Sequence, residues 1–599
     1  MALCGAWSLS GRPVEEMLSE SSWRTLAAAS GGGEETSFGG RLRLACASGR
    51  VLRREGSLRA YEGWLAGGLD GPWDPPADGH YVALEARADA LSLWRDPTAG
   101  VRLYYAVEGD LLVFCTSLRP LLARLGDDRR LDADVALERA LGRIAHFGDR
   151  ALVEGVRELP PGRRLDARGS VSRRWAWGSL LAPPRGGDEE LAGRLRENLA
   201  RSVRASIGGR KEAAVALSGG LDSAAVAALA AEAVGPGNVH AFTFDFHDPA
   251  HPTEAEAAAE ICRTLGIRRH RVLTFNFEQC AAAVPEMVWR SEEPTCWARP
   301  QALLLARAVA AEGFDRFLTG FGVGSHMAYL EDAAQALRWL PASPLLRRWQ
   351  RAHFQRRPAE PSFLHPGLTA PDSPLHTPLY YLIVNVLAAR GRVRAGDCYP
   401  PELAQAAERL ASSERVREAA AARADEPLGR QLQELAFASL DSCVDLHRLQ
   451  NATGELGCLW MSPAHVPSCL PLTFLPQRPR APFWSRSRRE RPGKALLTLA
   501  MRGSLPRSVF ERRKTWGEAL APNLWLSEIL ARMTRAAAPS LEELERVWGL
   551  PVEPFLRRRR DSVVPLAFWH RLLLRGSDPL ETPGWPDSET AAATRCSPL

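Results

Sequence analysis

No cysteine pair stands at C-x-x-C spacing in this chain, and no cysteine–histidine group has the spacing of a zinc site, although 11 cysteines occur among its 599 residues. That pattern implies reduced thiols in a cytoplasmic protein rather than a disulfide framework or a zinc domain. No stretch reaches the roughly 18 uninterrupted apolar residues of a membrane helix; the nearest, Leu379 to Val384, stops at Asn385. The opening residues lack a basic segment followed by an apolar run and a cleavage site, so neither secretion nor a membrane is expected. Charge of one sign is also scarce, since 76 basic residues against 70 acidic ones leave a net charge of only +6. Basic runs do occur, from Arg486 to Arg491 and from Arg557 to Arg560. No RNA- or DNA-binding module pattern accompanies them, so they read as solvated surface and no nucleic-acid partner is expected. The G-x-x-x-x-G-K-[ST] loop is missing, which removes the main support for a kinase or GTPase. No internal repeat is visible.

Where a Walker loop is missing, another glycine turn is present. Ala213 to Leu217 reads as a β-strand, Ala224 to Val234 as a helix, and between them stands Ser218-Gly219-Gly220-Leu221-Asp222-Ser223. Strand, glycine turn and helix in this order form a phosphate cradle at the carboxyl end of a strand in an open α/β sheet. Glycines let the backbone approach the ligand, N–H groups and the helix dipole attract anions, and the two serines offer hydroxyl donors. Asp222 would repel a bare phosphate, so its natural role is to hold a Mg²⁺ that the phosphates of ATP share.

A chain of this length exceeds a single core, and 45% hydrophobic with 24% charged residues is an ordinary globular composition. Short alternating runs at 81–86, 90–94, 102–106 and 111–115 make the first part β-rich, with a helical piece at 134–141 and a turn at Leu159-Pro160-Pro161-Gly162. Residues 178–190 are rich in Gly, Pro and acid and form the expected linker. Beyond Leu191, helix and strand alternate, with strands expected at 213–217, 240–244, 271–273 and 314–318, which implies a parallel sheet. Residues 326–450 and 494–524 read as mostly helical. The resulting domains are 1–178 and 190–577, with a Pro/Ser/Thr-rich tail at 578–599 expected to be disordered.

The order of motifs resembles the asparagine synthetase family. The Ser218–Ser223 loop resembles the pyrophosphate loop of ATP pyrophosphatases. It is followed in sequence by His240-Ala241-Phe242-Thr243-Phe244, Glu292-Glu293-Pro294-Thr295, Leu318-Thr319-Gly320-Phe321-Gly322 and Leu505 to Lys514. Asp96-Pro97, Leu103-Tyr104-Tyr105 and Gly155 to Gly162 extend the likeness into the first domain. The resemblance implies an α/β protein: a degenerate Ntn-hydrolase-like, glutaminase-like αββα domain, then an adenine-nucleotide α-hydrolase-like parallel-sheet synthetase domain. It implies ATP and Mg²⁺ as cofactors and a carboxylate activated as an acyl-adenylate for attack by an amine. ATP would lie over the N–H groups of Gly219, Gly220 and Ser223, within a site of Leu217, Ser218, Gly219, Gly220, Asp222, Ser223, Phe244 and Gly320, with Asp222 on the metal. Leu217 and Phe244 either border the adenine or are core side chains. Lys514, aided by Arg513, matches the segment carrying the family's essential lysine; a surface basic run is the alternative. A fixed cation there is worth on the order of 3 kcal/mol to the transition state in a dry site. Glu292, Glu293 and Pro294 either shape the acceptor pocket or serve as loop and helix cap. His326 reads as structural, and Trp175 and Trp177 as packing between domains.

Three departures refine the resemblance. Family glutaminases use an N-terminal cysteine whose α-amine acts as base, whereas this sequence opens Met1-Ala2-Leu3-Cys4-Gly5, so no glutamine hydrolysis is expected without processing that exposes Cys4. Phe321 stands where asparagine synthetases carry an acidic residue and β-lactam synthetases a tyrosine, and Gly324 stands where an Asp usually completes the magnesium site; Glu331 or Asp332 could substitute. A phenyl ring cannot help deprotonate an amide nitrogen, but an ordinary amine needs less help. The combination looks most like the lasso-peptide macrolactam synthetases, which implies a precursor core peptide as substrate, with a leader-peptide-binding protein and a protease as partners. An asparagine synthetase using glutamine or ammonia, and a catalytically inert nucleotide- or peptide-binding relative, are the alternatives.

Overall fold

The computed structural model describes residues 2–29, 31, 33–46, 50–70, 77–98, 100–142, 149–173, 185–246, 253–294, 300–321, 388, 394–413, 416, 449–473, 495–511 and 523–578. The predicted tail at 579–599, the tryptophans 175 and 177, and much of the helical stretch expected at 326–450 lie outside these residues.

Twelve short strands come first: β1 (Cys4–Ser8), β2 (Glu34–Phe38), β3 (Leu42–Cys46), β4 (Val51–Arg54), β5 (Ser57–Leu65), β6 (Gly79–Arg87), β7 (Leu91–Arg95), β8 (Tyr104–Glu108), β9 (Leu111–Cys115), β10 (Arg157–Glu158), β11 (Arg163–Asp166) and β12 (Val171–Arg173). They form two six-stranded antiparallel sheets, ordered β10-β8-β9-β1-β3-β2 and β12-β11-β7-β6-β5-β4. Alternation of side chains gives each sheet two faces. Trp7, Leu42, Leu44, Leu112 and Phe114 of the first sheet meet Leu58, Ala60, Val82, Leu84 and Leu93 of the second in one core. On its other face, the first sheet packs Cys4, Ala6, Val113 and Cys115 against Trp23 and Leu26 of the helix Glu20–Ala29 and Leu121 and Leu122 of the helix Arg119–Leu125.

Five parallel strands follow: β13 (Ala213–Ala216), β14 (Val239–Phe246), β15 (Arg269–Phe275), β16 (Arg316–Leu318) and β17 (Leu459–Met461), in the order β15-β14-β13-β16-β17. The chain steps outward from β13 to β14 and β15, then returns to lay β16 on the other side of β13. The helix Asp188–Ile207 begins inside the predicted linker and buries Leu191, Leu195, Leu199 and Val203, one side of a helical wheel. The helix Leu221–Val234 is buried without interruption from Ser223 to Ala230; its alanines let sheet and neighbouring helix approach from both sides. The expected α/β class is therefore the observed one, with an N-terminal region of two antiparallel sheets and a parallel-sheet domain after it. Among the described residues no helix is long and apolar enough to cross a membrane, and the seven described cysteines with placed side chains are buried and form no disulfide among themselves.

Candidate functional site

The nucleotide loop opens where β13 stops pairing. Leu217 N still donates to Phe242 O at 2.8 Å, and the chain then turns through Ser218, Gly219 and Gly220. Gly220, extended at φ −89° and ψ 154°, is the N-cap of a helix that begins at Leu221, three residues before the expected Ala224. Asp222 and Ser223 thus belong to the first helical turn, at the positive end of the dipole, and no side chain caps that end. The two serine hydroxyls are engaged with each other and with the backbone of the loop. Ser223 Oγ accepts from Ser218 N at 3.0 Å and lies 2.9 Å from Ser218 Oγ, which accepts from Gly220 N at 3.2 Å. Local hydroxyl-to-backbone bonds of this kind brace a glycine turn that would otherwise be loose.

A second loop closes on the first. After β16, Thr319 donates through both its N (2.9 Å) and its hydroxyl (3.1 Å) to Met461 O at the end of β17. Ser462 Oγ then donates to Phe321 O. Between those anchors, a Cβ placed on Gly320 would meet Ser223 N at 2.4 Å and the Asp222 carbonyl carbon at 2.6 Å. Glycine is needed there because two backbones touch. The crevice lies between β13 and β16, where the direction of winding reverses, which is where open parallel sheets bind ligands.

Of the predicted site residues, Ser218, Gly219, Gly220, Asp222, Ser223 and Gly320 are brought together. Leu217 and Phe244 are not: Leu217, 2% exposed, packs in the core beneath the helix Leu221–Val234, while half-buried Phe244 packs against the core on the other side of the sheet. Their side chains do not flank one base. Lys514, Arg513, Gly324, His326, Glu331 and Asp332 lie outside the described residues. Sequence reasoning missed Ser462 and Thr319, because the three-residue strand β17 gives no periodic signal; the apolar run Leu459-Trp460-Met461 after Gly457 was its one trace.

The donor set fits a phosphate-bridging Mg²⁺. Asp222 is the carboxylate of the loop, it stands on the uncapped helix end, and the glycine contact at Gly320 keeps the crevice floor free of side-chain bulk. Among the described residues no group of three or more His, Cys, Asp or Glu could cage a metal. Asp222 would therefore share the ion with phosphate oxygens and water, as Mg²⁺ prefers.

Residues 194–430 match the family model described as Asparagine synthase. This stretch is similar to an asparagine synthase domain. Curated relatives include Amidase chyE of Penicillium rubens, 26% identical over 267 residues, and Amidase chry2 of Gibberella zeae, 24% identical over 265; each match covers 41% of this chain and 39% of the relative. The chain thus spans about two fifths of the length of these curated relatives. A probable glutamine-hydrolyzing asparagine synthetase of Acanthamoeba polyphaga mimivirus is 28% identical over 100 residues, 17% of this chain and 18% of its own. Matched solved structures include the allosteric regulatory enzyme of purine biosynthesis, with a TM-score of 0.20 and 11% identity, covering 46% of this chain and 80% of that one. Glutamine phosphoribosylpyrophosphate amidotransferase from B. subtilis gives a TM-score of 0.17 and 10% identity, covering 46% and 81%.

The parallel-sheet domain meets the N-terminal sheets through Glu292 and Glu293, each 1% exposed. An Asn276–Gln279 capping box starts the helix Phe277–Ser291, and Glu292 ends it in the left-handed region at φ 57°, alone among described non-glycine residues. Its carboxylate accepts from Leu118 N (2.7 Å), Arg119 N (3.2 Å) and Arg119 Nε (3.0 Å), and from the Ser117 hydroxyl. It caps the helix Arg119–Leu125 from across the seam. Glu293 pairs with Arg102 and, at 3.4 Å, with Arg139. Of the two roles weighed for this motif, the cap is realised, and Pro294 is buried beside it.

Cys4 is fully buried in β1, paired across the sheet with Ala45 and Cys115, and its thiol lies 3.9 Å from Leu26 O. Burial first, then the hydrogen bond with Cys4, raises the Cys115 thiol well above its usual pKa. Both sulfurs sit here as small hydrophobes.

Proposed function

We propose that this chain is an ATP-dependent, AMP-forming amide ligase. The observation that carries the reading is the crevice between β13 and β16, where the uncapped helix end bearing Asp222 touches the backbone of Gly320 inside the segment that matches asparagine synthase. First-turn N–H groups there would hold the triphosphate, and Asp222 would orient its Mg²⁺, which supplies charge neutralisation on the phosphates. The substrate carboxylate attacks the α-phosphorus, pyrophosphate leaves, an amine attacks the acyl carbon, and AMP departs. Lys514, with Arg513, would supply positive charge to the oxygens on which charge develops.

The carboxylate is proposed to belong to a peptide and the amine to that peptide's own terminus, as in lasso-peptide macrolactam synthetases, with a leader-binding protein and a protease acting beside it. Two features support this finer reading. Phe321 supplies no base for a weakly acidic nitrogen, and the buried Cys4 thiol is poorly placed to release ammonia from glutamine. The amidase names of two relatives agree on an amide as the bond at issue. Exchange of labelled pyrophosphate into ATP tests the proposal. Exchange dependent on a candidate precursor peptide is the expected result; exchange dependent on aspartate instead would identify an asparagine synthetase, and none with either would leave an inert relative.

A further inference from the structure

We propose that His80, in the N-terminal sheets, is a positioning residue for the nucleotide crevice, acting through Ser462. His80 is fully buried on β6. Its Nδ1 lies 2.9 Å from Thr98 Oγ1, and its Nε2 lies 3.3 Å from Ser462 O. A carbonyl oxygen can only accept, so Nε2 carries the proton, while the Thr98 hydroxyl beside Nδ1 donates to the Asp96 carboxylate. The side chain is closely packed at its base and on one face: a Cβ on Gly100 would meet His80 Cβ at 2.3 Å and Cγ at 2.7 Å, and His465 stacks at 6.1 Å between ring centroids with an interplanar angle of 24°. His465 is itself tied back to the N-terminal region, since its Nε2 lies 3.2 Å from Thr98 O.

Ser462 is therefore gripped from both sides. Its carbonyl is held by His80, and its hydroxyl donates to Phe321 O, one residue after the glycine that rests on Ser223 N. β17 has only three residues and pairs with β16 along three positions, so ladder bonds alone fix the Thr319–Phe321 loop weakly. The contacts from Thr98 through His80 and Ser462 to Phe321 form one continuous path from the N-terminal sheets to the crevice floor. An N-terminal region whose cysteine is buried would thus keep a function, that of setting the second nucleotide loop. This rests on the nucleotide reading of the crevice only for its consequence, not for the link itself.

The link is tested on the ligand-free full chain by hydrogen exchange of the amides in 218–223 and 319–321. Ser462→Ala removes the last bond, and His80→Phe keeps a ring but removes both nitrogens. Each is expected to speed exchange in 319–321 roughly five- to ten-fold, the worth of one net hydrogen bond, while a cooperative thermal transition persists. Thr98→Ser, which keeps the hydroxyl, should exchange like the wild type. If His80→Phe does not fold, Thr98→Val with Ser462→Ala decides in its place. Unchanged exchange at 319–321 in the folded variants overturns the proposal. With Mg·ATP, the same variants should raise the KM for ATP in pyrophosphate exchange more than they lower kcat; a purely structural seam would lower the melting temperature and leave KM alone. A wild-type chain that exchanges no pyrophosphate would sink the ligase reading, and the ligand-free amides would still decide the link.

Discussion

Cys4 and the Ser218–Ser223 turn are the two places where the family resemblance puts chemistry, and each lies beside a central strand of its sheet. Their surroundings differ because of strand direction. β1 is antiparallel to β3 and β9 on either side, so its residues are covered by the helix Glu20–Ala29, and the Cys4 thiol faces Leu26. β13 is parallel to β14 and β16, so the carboxyl ends of all three lie at one edge of the sheet, the edge at which open parallel sheets form a ligand crevice. A parallel sheet gathers loop ends into a site; a central antiparallel strand offers its residues to the core.

The strongest way to break that contrast is to fill the crevice. Gly320→Ala would press a methyl carbon onto Ser223 N and the Asp222 carbonyl carbon, and a misplacement of about 1 Å at such a site can cost about 100-fold in rate. We expect pyrophosphate exchange to fall by at least that factor, with a lower melting temperature because the clash is with backbone. Asp222→Asn, which keeps the shape but removes the charge, should abolish exchange; survival of exchange would show the metal bound elsewhere.

Next in size is the seam that joins the two regions. Glu292→Ala leaves Leu118 N, Arg119 N and the Arg119 guanidinium without their shared acceptor. Removing one partner of a buried pair costs about 3–5 kcal/mol, and that loss should appear in chemical denaturation. Glu292→Gly would relieve the φ of 57° and so separate backbone strain from the carboxylate: we expect it to recover about 1 kcal/mol of the loss.

A smaller effect follows pH at the same seam. Burial first, and then His465, drive His80 down to about 3, and burial drives His465 down to about 4, from an ordinary 6.5. Both rings are neutral in the fold. Below pH 6.5 the unfolded chain takes up protons that the folded chain refuses, so stability is fully present above 6.5 and falls toward pH 4, by about 1.4 kcal/mol per unit for each ring. Asp96 runs the other way. Burial outweighs its bonds from Thr98 and raises its carboxyl to about 6 from 3.8, so its contribution is complete below 3.8 and lost as pH rises through about 6. Unfolding free energy measured from about pH 4 to 8 should show a net acid loss, flattened in a His80→Gln, His465→Gln double variant; an unaltered acid limb would contradict the burial of the rings.

The crevice was largely legible in the sequence because its logic is local: strand, glycine turn and helix adjoin in the chain. Even there the helix start was placed late, since Leu221-Asp222-Ser223 reads as part of a motif while Gly220 closes the first helical turn on Ala224. The strands β6, β7, β8 and β9 were visible through their alternation, whereas β2 and β4, which read EETSF and VLRR, carry too little apolar pattern to stand out. For Glu292 a cap was one of two readings but the helix it caps was not legible, and the role of Ser462 was not legible at all. Arg119 lies 173 residues from Glu292, and His80 lies 382 from Ser462; no spacing rule reaches across such distances.

The smallest expected effect sharpens the opening contrast most. If the Cys4 sulfur is only packing, Cys4→Ala leaves a small void beside Cys115 and Leu26 and costs about 1 kcal/mol of stability, with ATP-dependent amide formation from peptide or free amine unchanged. Cys4→Ser should be the worse of the two, because it buries a hydroxyl where the sulfur tolerated a weak 3.9 Å contact. A nucleophile predicts the reverse order of consequence: either substitution would abolish a glutamine-dependent reaction while leaving stability nearly untouched. Melting temperature and glutamine dependence, measured on the same two variants, therefore place Cys4 on one side of the line or the other, and with it the whole N-terminal region as support for the crevice or as a second active site.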